Sequence, residues 1–356
     1  MKQQILALSL AGIVLALASC SDDESTVAPP TPNPSTDRYV NQTTGDDANS
    51  GSSGLPWATI THAVATADSE ITIHVASGTY DAAGGETFPI TLKNGQTLLG
   101  NVANKGAGLS PTLVRGEGPY TASALVPGAT IVGAQDARVA GFSIRTETSP
   151  FTYTGIAVDG VDMEIDNNTF LFESYSGVTS GNGANVDIHD NRILTESYGL
   201  YLDGSRIVIV FNNNIEAGSF GMRCYGIDSL HVANNVIGTT NVGVQWGSGT
   251  AGVIQANVFN GSGFSNGAIL NHGDNLVVRG NWFNAGPGVQ VAPGSGVPDV
   301  GAVASPGQNN FAGIVGVGLE HNGSGTVMAI GNVWVNTPPQ VGVDIVITGG
   351  GSVVTE

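Results

Sequence analysis

The sequence predicts an all-β fold, a single-stranded right-handed parallel β-helix with coils of about 22 residues and a short N-terminal capping helix. An asparagine followed two residues later by a large apolar residue recurs at spacings of 23, 22, 22, 22, 24, 28 and 23 residues. These positions are Asn168, Asn191, Asn213, Asn235, Asn257, Asn281, Asn309 and Asn332. A glycine ladder runs in phase at intervals of 22 through Gly155, Gly177, Gly199, Gly221 and Gly243, and less strictly through Gly267, Gly288, Gly316 and Gly342. Such a fixed period is typical of a solenoid.

Short alternating segments fill each period. Residues 199–203 alternate after their glycine, and residues 186–191 alternate before their asparagine. A period of two indicates strands rather than helices, and stacked coils lie about 4.8 Å apart, so eight coils predict a rod of about 40 Å. We expect the asparagines to bond one another at one corner and the glycines to form tight corners.

One helix is predicted, over residues 57–67, with Ile60, Ala63, Val64 and Ala67 on one face. An exposed solenoid end invites association unless it is covered, so this helix is interpreted as the N-terminal cap. Residues 71–75 and 97–99 begin the first coils. The predicted β-helix domain spans residues 39–356, with the cap and first coils in 39–101.

The N-terminus predicts export. Residues 1–19 form a signal peptide, in which Lys2 precedes an apolar run that closes on small residues. The ending Leu17-Ala18-Ser19-Cys20 resembles the lipobox of bacterial lipoproteins, which implies cleavage before Cys20 and lipidation of that residue. Residues 20–38, rich in Pro, Thr and Ser, predict a disordered tether. The chain is therefore expected to be lipid-anchored at the outer membrane or cell surface, and to contact the membrane through that lipid alone.

The negative charge of the chain limits the binding partners that we expect. The 356-residue chain carries 11 Lys+Arg against 29 Asp+Glu, a formal net charge of −18, and its last lysine is Lys105. Nucleic acid and anionic lipid are excluded as expected partners. Cys20 and Cys224 are the only cysteines, so acylation of the first leaves no disulfide to form. A monomer stabilised by burial is predicted.

Several segments resemble a domain of unknown function found near the N-terminus of bacterial surface proteins that form right-handed parallel β-helices. The matching segments are residues 39–51, 56–60, 74–80, 85–90 and 98–100, with residues 298–301 and 305–311 resembling a late-coil insertion of the same group. This group belongs to the pectin-lyase-like superfamily, which includes polysaccharide lyases, polygalacturonases, uronan epimerases and members without known chemistry. The resemblance implies the fold and leaves the function open.

The register of the glycine strands predicts a first candidate site. With Leu200 and Leu202 inward, the outward residues include Tyr201, Asp203, Arg223, Tyr225, Gln245 and Asn271. Cys224 and Trp246 then lie in the core with Leu270. Related enzymes bind substrate along such a face, and tyrosines with polar neighbours suit a sugar, so Tyr201, Asp203, Tyr225 and Gln245 are candidate substrate-binding residues. The alternative is an ordinary solvated sheet face.

A second candidate site lies on the strands before the asparagine corner. Glu164 is expected beside Asp187, and Asp166 beside His189, with His231 one coil beyond Asp187. Carboxylates this close raise one another's proton affinity or share a cation. Asp166, Asp187 and His189, with Arg223 as the cation, are the candidate catalytic residues. The alternative is that these charges serve solubility.

These observations favour a cell-surface protein that interacts with a polysaccharide or envelope component without assured catalysis. The alternative is a polysaccharide lyase or glycoside hydrolase acting on an extracellular polysaccharide, which would need the cation Arg223 or bound calcium. Whether the chain is an enzyme is left open. The sequence requires no cofactor, and calcium is the one ion that its acidic residues would suit. The loop with Asp46, Asp47 and Asn49 favours an Asx turn over a calcium site.

Overall fold

The computed structural model describes residues 37–120, 126–146, 153–171, 175–261 and 264–356. They form a parallel β-solenoid of about 12 turns with coils about 23 residues apart, which confirms the predicted fold class. The signal peptide, Cys20 and the tether as far as residue 36 lie outside the described residues, so export and lipidation stay predictions. No helix within the described ranges has the length and hydropathy to cross a membrane.

Each coil contributes to three sheets, which we number in the order in which the chain passes through a coil. Sheet 1 contains, among the described residues, the strands Asp37–Val40, Thr72–Val75, Thr97–Leu99, Ala137–Ala140, Asp162–Asp166, Asn185–His189, Ile207–Phe211, Ser229–Ala233, Gly252–Gln255, Leu276–Arg279, Asp299–Gly301, Thr326–Ala329 and Ser352–Val354. Sheet 2 contains Gly78–Asp81, Thr112–Arg115, Ser143–Arg145, Thr169–Phe170, Arg192–Thr195, Asn214–Ala217, Val236–Thr239, Val258–Phe259 and Trp282–Phe283. Sheet 3 contains Ile90–Thr91, Gly128–Val132, Tyr153–Asp159, Ser176–Gly181, Tyr198–Asp203, Phe220–Tyr225, Val242–Trp246, Ile269–Asn271, Val289–Val291, Leu319–His321 and Ile345–Ile347, and Gly118–Pro119 pairs antiparallel with its second strand.

The predicted helix is Ile60–Thr66, shorter at both ends than the sequence pattern. Thr59 caps it by accepting a hydrogen bond from the His62 amide at 3.1 Å, and Glu86 accepts from the Ile60 amide at 2.7 Å. These bonds satisfy amides that the first turn leaves without an intrahelical partner. The predicted apolar face is buried against the first strands of sheets 1 and 3, as expected for a cap. 3₁₀ turns follow at Ala82–Gly84 and Val102–Asn104.

The asparagine ladder closes the corner between sheets 1 and 2, as predicted. Asn213 is representative: its Oδ1 accepts from the backbone amide of Asn191 at 2.9 Å, and its Nδ2 donates to the carbonyl of Ile188 at 2.8 Å. The same contacts repeat from Asn168 to Asn332. Since the bend removes these backbone groups from the sheets, the buried amides replace the missing partners.

The regularly spaced part of the glycine ladder has a different role from the one predicted. Gly199 lies inside a strand, and a Cβ there would come within 2.4 Å of the Gly221 carbonyl oxygen. The regularly spaced glycines from Gly155 to Gly243 therefore permit close packing between coils, whereas Gly267, Gly316 and Gly342 have the left-handed backbone expected of a tight corner (φ 98°, 116° and 91°). Left-handed backbone also occurs after sheet 3, as at Gly204 (φ 72°), and immediately before the ladder asparagines, as at Asn212 (φ 55°).

The rod is longer than eight coils because the first coils lack the asparagine motif and could not be counted from it. Its interior is filled by stacked apolar side chains, several from each coil. Toward the C-terminal end the rings of Phe259, Phe283, Phe311 and Trp334 stack with centroid separations of 5.0, 4.7 and 4.8 Å. Burial of such rings adds to the cohesion between these coils.

Candidate functional site

The first candidate site lies on the outer face of sheet 3. Tyr201, Arg223 and Gln245 are register partners in successive coils, and Asp203 pairs with Tyr225 in the same way. Cys224 and Trp246 are fully buried in the core, as predicted, and burial raises the pKa of the Cys224 thiol. The structure therefore brings the five outward residues together on one face.

Arg223 is the centre of this site. Its guanidinium carbon lies 4.8 Å from the ring centroid of Tyr201 and 4.8 Å from that of Tyr225, and its Nη1 donates to the Tyr201 hydroxyl at 2.5 Å. A guanidinium held between two aromatic faces is oriented before any ligand arrives. Because Arg223 is only partly buried, it remains available to a ligand at the surface.

Three further rings extend the site around the corner from sheet 2. Tyr198 packs 5.3 Å from Tyr201, 4.9 Å from Tyr175 and 5.2 Å from Phe220, measured between ring centroids. Burial, reinforced by Tyr198, raises the pKa of Tyr175 to about 12, so this phenol stays a hydrogen-bond donor at neutral pH. We call Tyr175, Tyr198, Tyr201, Phe220, Arg223 and Tyr225 the tyrosine–arginine cluster. Sequence analysis missed the corner rings because they precede the alternating strand.

The predicted register fails in the next coil. Asn271 pairs with the inward Trp246 and is buried, whereas Leu270 pairs with the outward Gln245. The prediction that Asn271 faces outward and Leu270 inward is therefore wrong. The ladder position after Gly243 is occupied by Ala268 rather than Gly267, which shifts the alternation by one residue.

The second candidate site lies on sheet 1, where the predicted pairs are confirmed: Glu164 is beside Asp187, and Asp166 is beside His189. His231 is two coils from Asp187, with Ile209 between them, so its predicted position one coil away is wrong. Arg223 belongs to sheet 3, and the structure does not place it with these three catalytic candidates.

The cation of the second site is instead Arg138, which sequence analysis missed. Its Nε and Nη2 each donate to Asp166 at 2.7 Å, and its Nε lies 3.6 Å from Glu164. Burial raises the pKa of Asp166, but Arg138 and Asn167 outweigh burial and hold the pKa below its ordinary value. His189 lies between Glu164 at 3.1 Å and Asp190 at 2.8 Å; burial opposes its protonation, yet these carboxylates raise its pKa.

Asp187 differs from these paired groups. Its Oδ1 is buried without a hydrogen-bond partner among the described residues, and it lines a groove of about 440 Å³ with Arg138 and Glu164. Desolvation raises its pKa; His189 opposes this rise, and Glu164 and Asp166 add to it. Asp187, with its raised pKa, thus lies near Asp166, with its lowered pKa. Enzymes use such a pair of carboxyl groups for acid–base chemistry.

We predict that Asp187→Asn stabilises the protein at neutral pH. Because the folded-state pKa is raised, protonation of Asp187 stabilises the fold below the ordinary value of 3.8, and this contribution is lost as pH rises through the folded-state pKa. Urea unfolding should therefore show a higher midpoint for Asp187→Asn at pH 7 and no difference near pH 3. The control is Asp228→Asn at an exposed turn. An equal gain in both variants, or a gain at pH 3, would contradict the prediction.

Glu164, Asp166 and His189 have potential ligand atoms within 4.8 Å of one another. Calcium favours about six to eight oxygen ligands, whereas this group offers a histidine nitrogen and a carboxylate already paired with Arg138. The donor set therefore suits an ion-pair network better than it suits calcium. In the N-terminal loop, Asp46 accepts from the Ala48 amide at 2.9 Å, which forms the Asx turn that the sequence favoured.

Among solved structures, the chain is similar to parallel β-helix proteins at low identity. A GH136 lacto-N-biosidase from Eubacterium ramulus is 13% identical, with a TM-score of 0.48, 90% of this chain covered and 67% of the other. DFA-IIIase from Arthrobacter chlorophenolicus A6 is 12% identical, with a TM-score of 0.49 and coverage of 80% and 84%. The A-module of the mannuronan C-5 epimerase AlgE4 from Azotobacter vinelandii is 13% identical, with a TM-score of 0.39 and coverage of 83% and 91%. No curated protein matches the sequence.

The chain is thus a parallel β-solenoid with one candidate site on the outer face of sheet 3 and another on the outer face of sheet 1. A family model described as protein of unknown function (DUF1565) matches residues 43–341. The chain belongs to this family. The match extends over nearly all coils, so the family covers the solenoid itself and not only the N-terminal and late-coil segments that carried the resemblance.

Proposed function

We propose that this chain is an exported, lipid-anchored bacterial surface protein that binds carbohydrate through the tyrosine–arginine cluster on sheet 3. The observation that carries the proposal is the placement of the Arg223 guanidinium 4.8 Å from the centroids of both Tyr201 and Tyr225. Aromatic rings stack on the apolar faces of sugars, and a fixed guanidinium donates to hydroxyl or carboxylate oxygens. Asp203 and Gln245 add an acceptor and an amide on the same face.

The outer face of sheet 3 is better suited to binding a carbohydrate than to hydrolysing it. Asp159 and Asp203 lie two coils apart with Gly181 between them, and the Asp159 carboxylate accepts a hydrogen bond from Asn182. A third carboxylate of this face, Glu320, lies three coils beyond Gln245 and accepts a hydrogen bond from Gln290. A glycosidase needs two convergent carboxyl groups, one of them free to transfer a proton. The tyrosine–arginine cluster supplies recognition, and no proton-transferring pair is built beside it in the described part of the chain.

The full chain with Cys20→Ser, which removes the lipidation site, should be tested against immobilised neutral and uronate polysaccharides, with and without calcium. Retention of at least one polysaccharide is expected, without reducing ends or unsaturated product. If no polysaccharide is retained, the binding proposal fails.

A second candidate function is acid–base catalysis on sheet 1, as a polysaccharide lyase or hydrolase. The orphan Oδ1 of Asp187 favours it, because a desolvated carboxyl in a groove beside Arg138 could transfer a proton while the guanidinium neutralises substrate charge. The same incubation tests it: product that disappears in Asp187→Asn, with polysaccharide retention unchanged, would establish catalysis at this site.

The lipid anchor gives a separate prediction. Because the sequence Leu17-Ala18-Ser19-Cys20 resembles a lipobox, Cys20 is expected to incorporate a fatty acid and to hold the chain in the membrane pellet. Metabolic labelling with an alkyne fatty acid should label the wild type and not Cys20→Ser, which should move to the soluble fraction. Cys224→Ala is the matched control and should keep the label. A labelled Cys20→Ser variant would contradict the anchor.

A further inference from the structure

The outer face of sheet 2 carries two parallel rows of side chains that neither candidate site includes. One row is apolar toward its C-terminal end and runs through Asn214, Val236, Val258 and Trp282. The adjacent, polar row, two residues further along the chain in each coil, contains the register partners Glu216 and Gly238, and then Asn260 and Asn284, which directly follow their strands. All these residues belong to consecutive coils, so the two rows follow the long axis of the solenoid.

A groove of about 670 Å³ lies along the polar row. It opens where Gly238, which has no side chain, interrupts the row between Glu216 and Asn260. A Cβ at Gly238 would meet its nearest atom, the Asn260 carbonyl oxygen, at an ordinary 3.4 Å. Neither backbone strain nor close packing therefore requires glycine at this position, and its absent side chain leaves the groove open.

Trp282 extends this surface toward the C-terminal end. Its side chain is 50% exposed, and its indole Nε1 donates to Asn284 Oδ1 at 2.5 Å. The other three tryptophans of the chain, Trp57, Trp246 and Trp334, are buried. A half-exposed indole held in place by a neighbouring amide can act as a stacking platform with a polar rim.

The charges of the groove restrict its ligand. Glu196 and Glu216 line it, none of its described lining residues is a lysine or arginine, and the amide of Asn260 adds both a donor and an acceptor. Two hydroxyls in its wall, those of Thr195 and Thr239, are buried without a hydrogen-bond partner among the described residues. Such a lining accepts hydrogen bonds from hydroxyl groups and repels anions.

We propose that this groove, with Trp282 beyond its C-terminal end, binds a neutral, hydroxyl-rich oligosaccharide. The carboxylates and amides bond sugar hydroxyls, and the indole stacks on the C–H face of a sugar ring. A peptide strand is disfavoured because the strands that line the groove are interior members of sheet 2, paired on both sides, and offer no free edge. This site is independent of the tyrosine–arginine cluster on sheet 3.

The test uses the full chain with Cys20→Ser and three neutral probes, cellohexaose, xylohexaose and mannohexaose. Since Trp282 is the one exposed tryptophan, acrylamide quenching of tryptophan fluorescence reports on this site. At least one probe should protect the wild type from quenching saturably, with an affinity that does not change with salt. Gly238→Leu, which fills the groove, should weaken that affinity at least about tenfold, and Glu216→Gln should weaken it several-fold.

Gly54→Leu is the matched control, because Gly54 is exposed with open space around it, and it should bind as the wild type does. Thermal unfolding of Gly238→Leu should match the wild type, since the position tolerates a side chain. Absence of protection by all three probes, or equal affinity in Gly238→Leu, would overturn the proposal. Salt-sensitive binding of hexalysine in place of the sugars would also overturn it, in favour of a basic peptide. Loss of binding in Arg223→Met but not in Gly238→Leu would assign the sugar to sheet 3 and refute this site alone.

Discussion

Asn213→Ala is expected to lower the free energy of unfolding by about 3 to 5 kcal/mol, the largest stability effect of the substitutions considered. The Asn213 side chain accepts from the Asn191 amide at 2.9 Å and donates to the carbonyls of Ile188 and Phe211 at 2.8 and 3.0 Å. Alanine would leave these groups without their side-chain partner at a buried corner, where water cannot replace it. Urea denaturation followed by circular dichroism measures the loss.

The control is Asn214→Ala, one residue further along, where the side chain lies in the outward row of sheet 2. That variant should unfold within about 0.5 kcal/mol of the wild type. Because each coil contacts mainly its neighbours, we expect the unfolding transition of Asn213→Ala to be broader than that of the wild type. Equal stabilities for the two variants would mean that the ladder does not hold the corner.

Arg223→Met is expected to weaken polysaccharide binding by about tenfold to a hundredfold, the largest effect on function. Methionine retains an unbranched apolar stem against Tyr201 and Tyr225 but removes a charged donor, and hydrogen bonds to charged groups contribute about 1.5 to 3 kcal/mol. Affinity electrophoresis in gels that contain the retained polysaccharide measures the change in dissociation constant.

Arg192→Met is the matched control because it removes the same charge from an exposed position on sheet 2. It should leave affinity unchanged. If both variants lose affinity equally, the effect comes from net charge and the tyrosine–arginine cluster is not the binding site.

The fold could be predicted because a solenoid repeats one local pattern. The asparagine positions alone defined the corner, and the period set the register that placed Glu164 beside Asp187. Assigning the register from the repeat length failed where that length changed. Between Gly243 and Ala268 the coil is longer, so counting from Gly267 turned Asn271 outward, whereas the structure buries it.

The sites were predicted less completely for a related reason. Arg138 lies in a coil before the first ladder asparagine, so no register was available to bring it to Asp166. Tyr198 stands at a corner, where alternation does not say which way a side chain points. The ladders did define the outward positions of Trp282 and Gly238. Their proposed part in sugar binding depends on the open groove on sheet 2, which only the three-dimensional packing reveals.

The most direct test of carbohydrate binding on sheet 3 is hydroxyl-radical footprinting of the full Cys20→Ser chain with and without the polysaccharide it retains best. Tyr198, Phe220 and Tyr225 should be protected by the polysaccharide, whereas Tyr39, which stacks on His74 in sheet 1, should be modified equally in both samples. Unchanged modification of Tyr198, Phe220 and Tyr225 in the saturated complex would contradict the proposed binding face.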